Sequence, residues 1–235
     1  MLINYGTPTE PGTSAKGYIC LFVDNTHPSR HVFYTDEAGI VETKIRASEN
    51  YNASYDGDGK IGYTGEITIN GVTYKNWKQF PLDGSQGTGW EKWLHSSGCG
   101  LTSTSIILSS IDSKYTPYYL YHYEHGREKE GAVKIQTYLK DAGVSYSIAD
   151  SLESIRNGLS SNKQVIMCLK GNATINGVKW AGSSGHYVAI LGISDDKKSV
   201  YISNPGSNPS KKNGWVSLDQ FEDSIYYNHT YVIGS

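Results

Sequence analysis

The chain has 235 residues, with 21 Lys and Arg against 23 Asp and Glu, so its formal charge is −2 at neutral pH. That balance argues against a nucleic-acid binder, because proteins that track phosphates usually carry a basic excess on one face. Hydrophobic residues make up 37% and charged residues 19%, a globular composition able to bury one large core or two modest ones, and no window approaches the ~18–20 consecutive apolar residues of a membrane span.

Met1-Leu2-Ile3-Asn4 opens without the basic start and apolar run of a signal peptide, so export by that route is not expected unless the signal lies outside this sequence. Residues 1 to 16, rich in Thr, Pro, Gly and Ser, are expected to form a loose arm. The abundance of Gly (26) and Tyr (19) beside only 4 Phe favours strands and turns over long helices. Strands are expected at Gly17 to Asp24, His31 to Asp36, Ile40 to Arg46 and Glu66 to Lys75. The last contains Asn70-Gly71, a hairpin signal because both residues tolerate positive φ. Residues 1–70 are thus expected to form an N-terminal β-rich segment of unknown role, and 71–235 a second domain.

The period changes after that. Leu101, Ile106, Ile107, Leu108 and Ile111 suit a helix from Cys99 to Ile111, and Val133, Ile135, Tyr138 and Leu139 suit another from Glu128 to Leu139, stopped at Gly143. A shorter helix is expected over 151 to 159. Strands are then expected at Gln164 to Leu169, His186 to Ile193, Ser199 to Ser203 and Ile225 to Ile233. Helices followed by a strand-rich half argue for an α+β domain with an antiparallel sheet, not for alternating βαβ units.

Three cysteines, Cys20, Cys99 and Cys168, cannot build a disulfide framework, and no pair of them has the short spacing of a zinc or redox site. Cys20 and Cys168 sit inside apolar runs and read as buried. Cys99 differs: in Ser97-Gly-Cys-Gly-Leu-Thr-Ser103 it opens a helix, where orphan N–H groups and the dipole favour thiolate, and the glycines beside it are expected to let substrate backbone and the turn approach. A buried, inert cysteine at a helix start is the plainer alternative. His186, in Ser184-Gly-His-Tyr-Val-Ala189, opens an apolar strand and could hold a thiolate and protonate a leaving amine, although a histidine at a strand end is often structural. Asn204, in Ser203-Asn-Pro-Gly-Ser207, ends the next strand. If the two strands form an antiparallel hairpin, Asn204 falls beside His186 and can accept from one ring nitrogen. Its plainer reading is an Asn-Pro turn.

With Trp77-Lys-Gln-Phe-Pro-Leu82, Gly98-Cys-Gly-Leu-Thr-Ser103, Gly185-His-Tyr-Val-Ala-Ile-Leu-Gly192 and Ser203-Asn-Pro205 in view, the sequence resembles the cysteine peptidases related to the bacteriocin-processing, double-glycine leader peptidases. The resemblance runs from about Tyr74 to Ile233. It implies a papain-like fold with Cys99 as nucleophile, His186 as base and acid, Asn204 orienting His186, and Gln79 completing an oxyanion hole with the Cys99 backbone N–H. It implies no cofactor and no metal, a peptide or protein substrate such as a bacterial surface or peptidoglycan cross-bridge peptide, and an extracellular, cell-envelope or phage-associated setting in bacteria. Leu101 stands where the family commonly has proline, and Asn204 where this branch usually has aspartate. The same site could serve an acyltransferase or a deamidase, and a catalytically silent surface-binding module is the alternative of another class.

Three other features carry weaker signals. Asp56-Gly-Asp-Gly-Lys-Ile61 resembles the centre of a calcium loop but places Gly65, not Glu66, at the final position, so a glycine-rich turn is expected. His122 and His125 lack an evident third metal ligand. Trp90, Trp93 and the tyrosines from 115 to 123 line either a cleft or an aromatic core.

Overall fold

The computed structural model of the chain describes residues 2–5, 18–23, 30–36, 39–44, 61–81, 90–122, 134–206 and 213–234. The chain divides into two compact units, Met1–Tyr51 and Asn52–Ser235. The boundary expected at 70/71 therefore falls inside the second unit, within the turn of a hairpin.

The first unit contains β1 (Leu2–Tyr5), β2 (Tyr18–Val23), β3 (Arg30–Asp36) and β4 (Gly39–Lys44), an antiparallel meander in that spatial order. The arm expected over 1 to 16 is corrected at its start, because residues 2–5 pair with β2 from Leu2↔Phe22 to Tyr5↔Ile19. The possible calcium loop at 56 to 61 lies outside the described residues, apart from the backbone of Ile61.

The second unit opens with the hairpin of β5 (Ile61–Ile69) and β6 (Val72–Pro81). Asn70 at φ 51° and Gly71 at φ 78° form its turn, the left-handed pair that a two-residue connection between twisted strands requires. Helices α1 (Trp90–Ser97), α2 (Cys99–Leu108), α3 (Pro117–His122) and α4 (Ile135–Asp141) follow. Helix α4 ends at Gly143, whose φ of +70° is the left-handed stop glycine provides. The part of its expected span before 134 lies outside the described residues. Helix α5 (Leu152–Ser160) begins on a capping box in which the Ser151 side chain accepts from the Ser154 N–H.

A six-stranded antiparallel sheet completes the unit: β7 (Ser145–Ile148), β8 (Gln164–Leu169), β11 (His186–Ile193), β12 (Ser199–Ser203), β13 (Gly214–Ser217) and β14 (Tyr231–Gly234), in the spatial order β13-β12-β11-β8-β14-β7. A two-stranded ribbon, β9 (Thr174–Ile175) with β10 (Val178–Lys179), lies between β8 and β11 in sequence. The strand expected over 225 to 233 is shorter than its composition suggests: Ile225 makes one bridge to Leu169, Tyr227–His229 is a 3-10 turn, and only residues 231–234 join the sheet. Tyrosine favours strands through the surfaces it packs on, not through its backbone.

Alternation along the central strands buries both faces of the sheet. Ile166, Ala189, Leu191, Tyr231 and Ile233 pack with Leu101, Ile106 and Ile107 of α2. Val165, Met167, Val188, Ile190 and Ile202 pack on the other face with Ile155 and Leu159 of α5 and with Phe221. Every residue of α2 from Gly100 to Leu108 is buried, so this helix runs through the core with its N-terminus emerging at the rim where β11 begins. No helix among the described residues is long and apolar enough to cross a membrane.

Candidate active site

Cys99 begins α2 directly after α1, with Gly98 at the N-cap. Gly98 donates its N–H to Leu94 O at 2.7 Å, and Thr102 closes the first turn of α2 onto Gly98 O at 2.8 Å. The flanking glycines make close inward approaches, at Gly98 to the turn that joins α1 to α2. A Cβ on Gly98 would sit 2.3 Å from Leu94 Cδ1 and 2.5 Å from Leu94 O, and one on Gly100 would lie 3.2 Å from the Tyr187 ring. The thiol of Cys99 is half-buried and outside any disulfide. It begins a helix of ten residues, whose positive dipole end favours an anion.

His186 is the first residue of β11. The hairpin expected between its strand and the next is present, with Ala189 opposite Ser203 and Ile190 opposite Ile202. Extending that register past the end of β12 puts Asn204 opposite Val188 and Gly206 opposite His186, so the Asn204 side chain reaches the ring diagonally, and His186 Nε2 lies 2.8 Å from Asn204 Oδ1. The Gly206 N–H also donates to Asn204 Oδ1, at 2.8 Å. A backbone N–H can only donate, so the amide atom it meets must be the oxygen, and the ring nitrogen facing that oxygen must carry hydrogen. In the neutral ring this leaves Nδ1 as the acceptor. Both members of the pair are buried, with Asn204 at 0% exposure, and Gly206 covers them so closely that a Cβ there would lie 3.0 Å from Asn204 Oδ1 and from His186 Nε2.

Gln79, on β6, connects the two halves of the site. Its backbone N–H donates to Pro205 O at 3.0 Å, directly after Asn204. Its side-chain Nε2 donates to His95 O at 2.8 Å and reaches Leu94 O at 3.4 Å. Leu94 O also receives the Gly98 N–H, so one carbonyl touches both Gln79 and the residue before Cys99. A continuous path therefore runs from the start of α2 through Gln79 to the loop holding Asn204. On the sheet side, Tyr187 turns toward Gly100 while the neighbouring His186 turns to Asn204.

Cys168 pairs across the strands with Tyr187 and is buried. Desolvation pushes its pKa up to about 11, opposed in part by a hydrogen bond with Tyr187 and assisted by the nearby Cys99. Burial likewise pushes the Tyr187 hydroxyl upward. Cys168 is thereby held as a thiol. The side chain of Cys20 lies outside the described residues.

The aromatic segment resolves largely as core. Tyr115 and Tyr118 are buried, Trp93 stacks on Tyr121 with centroids 5.3 Å apart, and Tyr115 meets Tyr119 edge-on at 5.8 Å. Among the described residues no group of three or more His, Cys, Asp or Glu could hold a metal ion; His125 and the side chains of Trp90 and His122 lie outside them. The polar cluster of Asn76, Lys78 and Asn213 behind Asn204 had no signal in the sequence, because its members are brought together from strands more than a hundred residues apart.

The model of the Peptidase C39-like family matches residues 69–233, from the end of β5 through β14. Among solved structures, the chain is similar to a Bacillus anthracis protein provisionally described as a C39-like peptidase, at 14% identity and a TM-score of 0.43, covering 59% of this chain and 89% of that one. No curated protein matches. With a match running from the hairpin turn through β6, the described helices and the six-stranded sheet to residue 233, the chain belongs to the Peptidase C39-like family, a family of cysteine-type peptidases.

Proposed function

We propose that the protein hydrolyses peptide amide bonds through an acyl-enzyme, with Cys99 as nucleophile, His186 as base and acid, Asn204 as the residue orienting His186, and Gln79 as an oxyanion donor. The observation that carries this reading is the His186–Asn204 bond of 2.8 Å beside a Gly206 N–H that fixes the amide orientation. Nδ1 is thereby reserved for the Cys99 proton. The imidazolium that forms is stabilised by the same Asn204 oxygen.

In the first half of the reaction Sγ adds to the substrate carbonyl carbon, the C=O electrons move onto oxygen, and the proton from sulfur resides on His186. The oxyanion collapses, the C–N bond breaks, and His186 gives its proton to the departing amine. Water then adds to the thioester with His186 as base, and the acid product leaves Cys99 as thiol. Gln79 Nε2 carries two hydrogens: one is spent on His95 O at 2.8 Å, while the other faces Leu94 O at a long 3.4 Å and is available to an oxyanion that offers a better acceptor. The dipole at the start of α2 adds to this stabilisation.

A peptide-library digest read by mass spectrometry tests the proposal. Cut chains in the wild type and none with Cys99→Ala are expected. A cross-linked product would point to acyl transfer, a gain of one mass unit to side-chain deamidation, and no product at all to the silent binding module.

A further inference from the structure

Behind the His186–Asn204 pair lies a set of polar groups that the reaction above does not use. Lys78, on β6, donates from Nζ to the Asn204 carbonyl oxygen at 2.6 Å and to Asn213 Oδ1 at 3.1 Å. Asn213 Oδ1 also accepts the Asn204 backbone N–H at 2.9 Å. Asn213 Nδ2 donates to Asn76 Oδ1 at 2.8 Å, and the Ser203 hydroxyl donates to that same oxygen at 3.1 Å. Both main-chain polar groups of Asn204 are thus gripped from one side, the carbonyl by Lys78 and the N–H by Asn213, while its side-chain oxygen is left to His186 and Gly206.

Among the described residues, the groups that Lys78 Nζ meets are uncharged oxygens. Burial alone lowers its pKa, to about 8. On the elements packed against β6, Glu66 of β5 stands opposite Lys75, and α1, with Glu91 and His95, meets β6 through Gln79, whose side chain alternates to the other side of the strand from Lys78. From the residue after β12 and the residue before β13, the described groups that reach Nζ are the uncharged Asn204 and Asn213. A largely buried ammonium answered by neutral oxygens, as among the described residues here, costs stability, and such groups concentrate at functional sites.

We infer that Lys78 is a positioning residue which, together with Asn213, clamps the main chain of Asn204 so that its Oδ1 holds His186 in the Nε2–H form. The inference rests on the peptidase reading for its purpose, but its test does not. Bonds from an ammonium are roughly twice as strong as those from a neutral amine, so the clamp is tight while Nζ is protonated and slackens as the pH passes about 8.

The test is nitrogen NMR of the full chain with labelled histidine in a Cys99→Ala background, where no thiolate holds a second proton on the ring, the His186 signals being assigned by their disappearance in His186→Gln. With Lys78 in place a fixed Nε2–H signature is expected at pH 7, loosening above pH 8. With Lys78→Met the ring should average between tautomers already at pH 7 and lose the transition near pH 8; with Cys99 restored, Lys78→Met should leave it alkylated by iodoacetamide about tenfold more slowly, the equivalent of one charge-assisted bond. Asn213→Ala removes the other arm and should also release the ring. Melting curves show which variants fold. A folded Lys78→Met, or a folded Asn213→Ala if the first does not fold, with an unchanged His186 signature in the Cys99→Ala background overturns the inference, and so does a signature that stays constant from pH 7 to 10 with Lys78 in place. Peptide cleavage that survives Cys99→Ala would instead sink the peptidase reading, while the tautomer measurement would still decide the role of Lys78.

Discussion

His186 Nε2 and Asn204 Oδ1 stand 2.8 Å apart at the rim of the sheet, with the Gly206 N–H on the same oxygen. The pair exists because β11 and β12 are antiparallel neighbours, which brings the start of one strand to the end of the other. Removing the oxygen should leave the ring free to choose either tautomer. Asn204→Ala is expected to lower kcat by about 10²–10⁴, with a small change in KM; a kcat within a factor of two of the wild type would show that His186 needs no such orienting partner.

Asn204→Asp should keep the geometry, since a carboxylate accepts from both the ring and the Gly206 N–H. Its charge favours the imidazolium, so the alkaline limb of the Cys99 alkylation profile should move to higher pH. A limb that stays in place or moves to lower pH would contradict this arrangement.

Gly206→Ala and Gly98→Ala probe two close approaches. The first places a methyl 3.0 Å from the His186 and Asn204 side chains, and the second drives one to 2.5 Å from Leu94 O. Gly98→Ala should destabilise the fold by about 1–3 kcal/mol, as overpacking does. Gly206→Ala should mainly reduce kcat, because the loop after β12 can shift outward and carry Asn204 with it. Denaturant melts and kinetics measured on the same preparations separate the two effects.

Gln79→Ala should slow turnover about 10²–10³-fold, the usual loss for one oxyanion donor, while Cys99 alkylation remains near the wild-type rate. Loss of alkylation as well would mean that Gln79 acts by holding α1 to the Asn204 loop, through its bonds to His95 O and Pro205 O.

Lys78 also predicts how stability follows pH. Its folded pKa of about 8 lies below the ordinary 10.5, so between these values the unfolded chain binds more protons and stability rises with pH. The burial penalty is therefore fully present below pH 8 and is relieved above it. The melting temperature of the wild type, measured relative to Lys78→Met, should increase from pH 8 to 10; a constant or falling difference would place Lys78 in water.

Much of this architecture was legible where the chemistry is local. Asn70-Gly71 announced its hairpin because only residues tolerant of positive φ make that turn, and the apolar runs at 164, 186 and 199 announced strands. Helix α3 was hidden inside an aromatic stretch, although Thr116-Pro117 held its signal: the Thr116 hydroxyl accepts the Tyr119 N–H at 3.0 Å, and proline suits a first helical turn. Helix α1 is too short to show a period, and the edge strands β7 and β13 have four residues each, too few for alternation to stand out.

The candidate site divides in the same way. Cys99, His186 and Asn204 could be named because each sits at an element boundary marked by glycine or proline. What Gln79 bonds to, and that Lys78, Asn76 and Asn213 converge behind Asn204, depends on the packing of β6 against α1 and the end of the sheet. No spacing along the chain encodes that.

Iodoacetamide alkylation of the native protein, followed by peptide mapping across pH 5 to 9 for the wild type and His186→Ala, probes the thiol-imidazole partnership without knowledge of any substrate. Cys99 should be modified rapidly even at the acidic end, Cys168 should stay unmodified because burial holds its pKa near 11, and the rapid reaction at Cys99 should vanish with the imidazole. Slow labelling of Cys99 that rises only as an ordinary thiol ionises, unchanged in His186→Ala, would show that no such partnership exists.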